Sequence, residues 1–310
     1  MINRILPIFK RNSQSESVAP IWEWCLEHNS KVEMTEENLE NMANTELVFG
    51  FFGGSITPDD RGALVKLAQA VGVCGVQNPE GGANPCAVNS SCELTDSELL
   101  WKIGTKIKIN LPDFVGGRKE TMTDYGIITA RHCYNLWILK RIIDLFPLRS
   151  DRRVSVIEIG AGMGLLGYFL SKIGHYDYTI IDLANANAIQ AYFYHKNLPE
   201  KQLILSGEVK NPFDSRYSQA IKILHASDFE NIPTGRFNIM INMDGLTEMN
   251  PGDAFRYVNS DCAKLLLSIN HDMNDFRVID ICKTRKLEYR YPFWIRDGYV
   301  EELYTSIYNI

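Results

Sequence analysis

Val154-Ser155-Val156-Ile157-Glu158-Ile159-Gly160-Ala161-Gly162-Met163-Gly164 is the stretch on which the fold turns. Its first six residues form a short, β-branched run with the composition of a buried strand. The glycines that follow permit a tight turn and a close backbone approach to a ligand. Leu165–Ile173 then reads as a helix closed by Gly174. A strand, a glycine turn and a helix in this order make a nucleotide-binding crevice, with the ligand lying beyond the carboxyl end of the strand. Alone the glycines do not choose the nucleotide, since Gly162-Met163-Gly164-Leu165-Leu166-Gly167 also satisfies the dinucleotide pattern GxGxxG.

Downstream the same alternation continues. Tyr178–Asp182 is the next strand, 185–197 the next helix, and Ile221–His225, Phe237–Met243 and Leu265–Asn270 are three further strands. Strands alternating with helices predict a parallel sheet covered on both faces. Residues 287–295 and 300–308 read as two strands joined through Arg296-Asp297-Gly298, which is hairpin chemistry. The expected fold is therefore α/β: a Rossmann-like, mostly parallel sheet over 151–310 ending in an antiparallel hairpin, after a mainly helical region over 1–150.

That helical region carries start and stop signals. Thr35 looks like one helix start, and Thr57-Pro58-Asp59-Asp60 opens another that runs to about Val71 and ends at Gly72. Residues 78–92 are a loop by composition, read either as a binding loop or as a surface excursion. Thr123-Asp124 opens a long helix over 124–146, with Ile128, Leu136, Leu139, Ile142, Ile143 and Phe146 at helical spacing. Arg149-Ser150-Asp151-Arg152-Arg153 is a charged connector.

Composition narrows the function classes. A net charge of −6 leaves no basic footprint for nucleic acid. No apolar run approaches the roughly 18 residues of a membrane span, and the N-terminal apolar stretch is too short for a secretory signal. The expectation is a cytoplasmic protein. The seven cysteines are scattered without a CxxC pair, so they read as reduced structural thiols.

Three acids sharpen the ligand. Glu158 stands two positions before the glycines, where a carboxylate repels a pyrophosphate but can accept from an ammonium. Asp182 ends the second strand, placed for ribose hydroxyls, although a dehydrogenase would use such an acid in the same way. Ser227-Asp228 follows the third strand, where a carboxylate can accept from an adenine amino group. Together they favour S-adenosylmethionine over a dinucleotide.

Val156-Ile157-Glu158-Ile159-Gly160-Ala161-Gly162-Met163-Gly164 resembles the first motif of the class I S-adenosylmethionine-dependent methyltransferases, and Ile180-Ile181-Asp182-Leu183 resembles their second. Phe237-Asn238-Ile239-Met240-Ile241-Asn242-Met243-Asp244-Gly245-Leu246-Thr247-Glu248-Met249 is similar to a segment of the sugar O-methyltransferases of bacterial surface-glycan clusters. Asn238 stands where that pattern has Asp, and Gly245 where it has Ser. Ser268-Ile269-Asn270-His271 and Gly298-Tyr299-Val300-Glu301-Glu302 also suit the family. The resemblance, which covers about residues 150–310, implies O-methylation of a sugar hydroxyl in glycan biosynthesis, with a small-molecule or glycan acceptor as partner. The helical region over 1–150 carries no motif of the family and is expected to cover the acceptor pocket. The resemblance also implies cofactor contacts from Glu158, Gly160, Ala161, Gly162, Gly164, Asp182, Leu183, Ser227, Asp228 and Asn242.

Methyl transfer to a hydroxyl needs a group that takes the acceptor's proton on the far side of the methyl. His271, just after the fifth strand, is the first choice as base. Asp244 and Glu248 follow the fourth strand; on a helix starting at Gly245 they would share a face and could orient hydroxyls or act as base. Asp244, Asn270 and Asp272 are an alternative set of oxygen ligands for Mg²⁺, which would lower the acceptor's pKa. Arg131 could reach the site from the long helix, and the run Tyr289–Trp294 could stack on a sugar ring. The rival functions are methylation of another small metabolite or of an amine or phosphoramidate group, and a non-catalytic S-adenosylmethionine-binding module, with a dehydrogenase further off.

Overall fold

A computed structural model describes residues 4–5, 20–45, 47, 60–75, 94–107, 109–116, 122–148 and 153–308. The first helices are α1 (Pro20–Ser30), α2 (Glu36–Glu40), α3 (Asp60–Ala70) and α4 (Asp96–Gly104). A two-stranded ladder of β1 (Met122–Thr123) and β2 (Gly126–Ile127) leads into α5 (Ala130–Leu145). Then come β3 (Val154–Ile159), α6 (Leu165–Ile173), β4 (Tyr176–Asp182), α7 (Ala184–Asn197), β5 (Leu203–Leu205) and β6 (Ile221–His225). The chain closes with β7 (Phe237–Met243), α8 (Pro251–Val258), β8 (Ala263–His271), α9 (Val278–Ile281), β9 (Arg285–Pro292) and β10 (Tyr299–Ser306).

The large sheet has eight strands in the order β5-β6-β4-β3-β7-β8-β10-β9. All neighbours from β5 to β8 pair in parallel, while β10 runs antiparallel between β8 and β9. This is the mostly parallel, Rossmann-like sheet with a C-terminal antiparallel hairpin. Strand order reverses between β3 and β7, and the crevice at such a reversal is where open α/β sheets bind ligands.

Strand periodicity sorts the core into two layers. Val156, Ile180, Ile239, Ile241, Leu267 and Ile269 face one side, where they share a core with Leu139 of α5, Leu166 of α6 and Ile189 of α7. Ile157, Ile159, Ile181, Met240 and Leu266 face the other, against Ala254 and Val258 of α8 and Val278 of α9. Leu64 and Leu67 of α3 and Leu99 and Ile103 of α4 belong to the first of these cores. The helical N-terminal region thus packs into the same core as the sheet.

Several expected boundaries move. The helix expected from 124 begins at Ala130, because Thr123 turns the chain instead: its hydroxyl donates to the Gly126 carbonyl at 2.7 Å and accepts from the Tyr125 amide at 3.1 Å. Thr129 is the residue before the helix, and Asp60 of α3 accepts the Ala130 amide at 2.7 Å. Thr35 caps α2 as its position suggested, accepting from Asn38 at 3.2 Å. Strand β5 went unread because three residues show no period. The helix start at Thr57-Pro58-Asp59, the 78–92 loop with Cys86 and Cys92, and most of the 149–153 connector lie outside the described residues. Among the described residues no helix is long and apolar enough to cross a membrane.

Gly167, one turn into α6, sets how closely α6 lies on β4 and α7. A Cβ there would fall 2.2 Å from Cε1 of Tyr178 and 2.3 Å from the hydroxyl of Tyr194. Both rings are fully packed, so neither can yield cheaply. Gly167→Ala is expected to cost at least about 2 kcal/mol in urea unfolding. Gly104→Ala, where an added Cβ meets nothing within 4 Å, should be neutral or stabilising. Equal midpoints for the two variants would show that the α6 contact does not carry this constraint.

Candidate active site

The glycine turn sits at the carboxyl end of β3. Gly160, Gly162 and Gly164 have φ of 69°, 55° and 86°, a backbone that residues with side chains rarely adopt. Asp182 from the end of β4 holds the turn, its Oδ2 accepting the Ala161 amide at 2.9 Å while Oδ1 accepts the Leu183 amide at 2.8 Å. Two residues of α7 brace it from below. Gln190 donates to the Gly162 carbonyl at 2.9 Å and to Asp182 Oδ2 at 2.7 Å, and the Tyr194 hydroxyl donates to the Gly164 carbonyl at 2.7 Å. Neither Gln190 nor Tyr194 was singled out in the sequence, since a helix with buried residues on every side shows no face to read.

Beyond β6, Ser227 is exposed and Asp228 half-buried. Asp228 accepts the His225 amide at 3.2 Å and the Ser206 hydroxyl at 2.6 Å, so it caps the short 3₁₀ turn Ala226–Asn231 while standing at the strand end.

Two residues expected at the cofactor are buried and bonded to protein. Glu158 is 3% exposed and accepts the Tyr178 hydroxyl, beneath the turn rather than on its open side. It shares the strand face of Val156, which points into the helix-covered core. Burial pushes its carboxyl up to about 8, against the Tyr178 hydrogen bond and with the charge of Asp182 adding to the rise. Asn242 is fully buried and committed to protein: its amide donates to the Ile159 carbonyl at 2.8 Å, and its oxygen accepts from Leu246 N at 3.0 Å and Asn270 Nδ2 at 2.9 Å.

A second cluster lies beyond β7. Asp244 adopts φ 60°, left-handed for a residue that is not glycine. Its Oδ2 accepts from Arg131 at 2.7 Å and from Arg296 at 2.5 Å, and its Oδ1 accepts the Tyr299 hydroxyl. Although burial works the other way, the two guanidiniums and the Tyr299 hydroxyl hold Asp244 well below the usual carboxylate range. Glu248 ends the 3₁₀ turn Leu246–Glu248, near enough to Asp244 to feel its charge, and the two carboxylates are not on an α-helix starting at Gly245 as expected. Burial first and the Asp244 charge second push Glu248 up to about 7, while Arg131 and Arg296 oppose the rise. Cys25 of α1 lies beside it, its own thiol raised by burial and by the Glu248 charge.

Gly245, where the resembled pattern has Ser, has no room for a side chain, since a Cβ would come 2.9 Å from Asn242 Nδ2. His271 is half-buried against the edge of Tyr299, with ring centroids 5.1 Å apart. Its Nδ1 accepts the Met273 amide at 3.0 Å, which puts the proton of the neutral ring on Nε2. The alternative Mg²⁺ ligands are engaged with protein partners. Asp244 is taken by two arginines, Asn270 spends its oxygen on the Gly245 amide at 3.1 Å and its nitrogen on Asn242 and Ser268, and Asp272 pairs with Arg290. Among the described residues no group of three or more His, Cys, Asp or Glu is placed to hold a metal.

Arg296 and Tyr299 were read only as hairpin chemistry and as part of a family segment. Topology could have found them. Strand β9 runs with the parallel strands, so the connection to β10 returns to the ligand-binding edge of the sheet.

No family model and no curated protein sequence matches the chain. Solved structures with a similar fold include a mitomycin 7-O-methyltransferase, at 12% identity and TM-score 0.36 over 57% of this chain. The chain spans 57% of that enzyme's length. A SAM dependent methyltransferase from Aquifex aeolicus is similar at 13% identity and TM-score 0.37, covering 55% of this chain and 89% of its own. A Haemonchus contortus phosphoethanolamine N-methyltransferase 2 follows at 15% and 0.32, covering 44% of this chain and 27% of its own. The likeness lies in the fold.

The buried Glu158 gives a pH test of this arrangement. Its pKa is raised above that of an unfolded glutamate, so the folded state binds the extra proton between about 4.5 and 8 and stability falls as pH rises through that window. Glu158→Gln keeps an acceptor for Tyr178 and removes the ionisation. It should match the native chain at pH 5 and exceed it at pH 8 by on the order of 2–4 kcal/mol. Melting curves that run parallel at both pH values would place Glu158 in contact with solvent.

Proposed function

We propose that the chain is an S-adenosylmethionine-dependent methyltransferase that O-methylates a sugar hydroxyl, on a bacterial surface glycan or an activated sugar. One observation carries the reading: a glycine turn braced by Asp182 stands on one side of the strand-order reversal, and Glu248, raised to about 7, stands beside Asp244 on the other. A nucleotide site and a proton acceptor thus meet at one crevice. The antiparallel β10 inserted next to β8 also separates this sheet from the uniformly parallel dinucleotide-binding arrangement.

The turn fits the cofactor. Positive φ at Gly160, Gly162 and Gly164 opens a cradle that side chains would fill, and Asp182 and Asp228 stand at the two following parallel strand ends for ribose and adenine. Bound there, S-adenosylmethionine would supply an electrophilic methyl group to the acceptor oxygen. The protein's own part is orientation and proton removal. A Glu248 carboxylate oxygen takes the hydroxyl proton, with a pKa suited to work near neutral pH. Asp244 is too weak a base for this, being held ionised by Arg131, Arg296 and Tyr299, but its charge raises the basicity of Glu248. His271 offers no lone pair on Nε2 and passes the role to Glu248.

Titration with S-adenosylhomocysteine and with NAD tests the cofactor: the first should bind and the second should not, and the reverse would overturn the reading. With an accepted sugar, Glu248→Gln should lower kcat by about 10²-fold or more, while His271→Ala keeps most of the turnover. The rate should rise with pH through about 7. Asp244→Asn should shift that midpoint to lower pH, because the neighbouring negative charge is gone. A profile flat between pH 5.5 and 8.5 would take the base role from Glu248.

A further inference from the structure

The cluster around Asp244 carries more positive than committed negative charge. Two guanidiniums, with side chains 17% and 26% exposed, both bond one oxygen of a single carboxylate. Arg131 Nε is buried with no hydrogen-bond partner. Each guanidinium has five donors, and each spends one on Asp244. The other charged groups nearby have partners of their own: Lys66 pairs with Asp297, and Asp272 and Glu302 share Arg290. Glu248 supplies no steady counter-charge, since burial and the Asp244 charge push it up to about 7 and it is mostly protonated below that pH. Charges this far from water are ordinarily paired.

The guanidiniums are also held in place before any ligand arrives. Arg296 stacks on Tyr299 at 3.9 Å and reaches over Tyr134 at 5.8 Å. Arg131 is the second residue of α5, so the positive end of that sixteen-residue helix adds to the field. Both stand on the β7–β10 side of the strand-order reversal, away from the Asp182 and Asp228 strand ends where the cofactor's nucleoside would sit. Cation forks fixed in this way recognise planar or tetrahedral oxyanions.

We infer that Arg131 and Arg296 form an anion seat for the acceptor, which therefore carries a carboxylate or a phosphate close to the hydroxyl that is methylated. The inference rests on the proposed methyltransferase reading for the word acceptor, while the seat itself can be tested without turnover. Acidic sugars and sugar phosphates have this chemistry; neutral sugars do not.

The test is isothermal titration of the full chain at pH 6.5, with and without saturating S-adenosylhomocysteine, using sodium phosphate, D-glucuronate and D-glucose as probes. Phosphate or glucuronate should bind and glucose should not, and the tighter of the two anions tells phosphate-bearing from carboxylate-bearing acceptors. Arg131→Gln and Arg296→Gln should each weaken the anion by about tenfold or more while leaving S-adenosylhomocysteine within about twofold. Asp244→Asn should tighten the anion by about threefold or more, because the carboxylate that competes for the forks is gone. No anion binding up to about 50 mM, or binding indifferent to both arginine substitutions, overturns the seat. A loss of S-adenosylhomocysteine affinity on arginine substitution overturns it too, since the forks would then hold the cofactor's own carboxylate. Failure of the native chain to bind S-adenosylhomocysteine, with anion binding intact, removes the methyltransferase reading and leaves the seat standing.

Discussion

The side chain of Asn242 ties together the ends of three strands, β3, β7 and β8. Its amide nitrogen reaches the last carbonyl of β3, and its oxygen takes the amide of Leu246 beyond β7 and the amide of Asn270 near the end of β8. Asn270 returns a bond to the Gly245 amide. Both side chains are buried, so each bond replaces one that water cannot supply there. The glycine turn and the Asp244 turn are thus held at a fixed separation by one amide. An apolar residue in its place would orphan the Ile159 carbonyl and the Leu246 amide together, and the turn on either side would relax independently of the other.

That fixed separation explains why the backbone at Asp244 can remain left-handed. The conformation costs a non-glycine residue on the order of 1–3 kcal/mol and persists only where surroundings over-determine it. Here the amide of Asp244 donates to the Ile269 carbonyl at 2.9 Å, and its carboxylate is caught by Arg131, Arg296 and Tyr299. The glycine that follows is forced by Asn242, which leaves no space for a Cβ. Strain, a missing side chain and a concentration of charge meet at one strand end, and that combination is expected at sites of chemistry rather than in a core built for stability.

The strand–turn–helix periodicity made the sheet legible from Val154 to His271 because parallel strands buried on both faces are short apolar runs with glycine or acidic ends. What periodicity cannot carry is the direction of a side chain at a strand end. Glu158 and Asp182 both look poised for a ligand in the sequence, yet the odd–even register of β3 turns Glu158 inward while Asp182 stays beside the glycine turn. Asn242 read as a ligand contact for the same reason. Asp244 and Glu248 were legible as neighbours of a strand end, but burial and the Asp244 charge raise Glu248 while Arg131, Arg296 and Tyr299 lower Asp244, and the last two lie more than forty residues downstream, visible only once β10 is placed beside β8. The α5 boundary was missed by competition: Thr123 and Thr129 are both acceptable caps, and the turn at Asp124-Tyr125 decides between them.

Helix α5 makes the N-terminal region part of the site's framework. Arg131 near its start reaches Asp244, and ten residues on, about 15 Å along the axis, Arg141 reaches Glu301 on β10 at 2.8 Å. Glu301 is buried and also accepts from Trp137 at 2.6 Å and Tyr289 at 2.8 Å, so this second contact is a fully partnered carboxylate at the centre of the hairpin. A helix fixed at both ends to the sheet cannot slide without breaking a buried ion pair, and removing one partner of such a pair costs about 3–5 kcal/mol. Arg131 is therefore delivered to Asp244 by a rigid strut whose position is set on β10, the same strand that supplies Tyr299. The helix and the hairpin close on Asp244 from two directions as one unit.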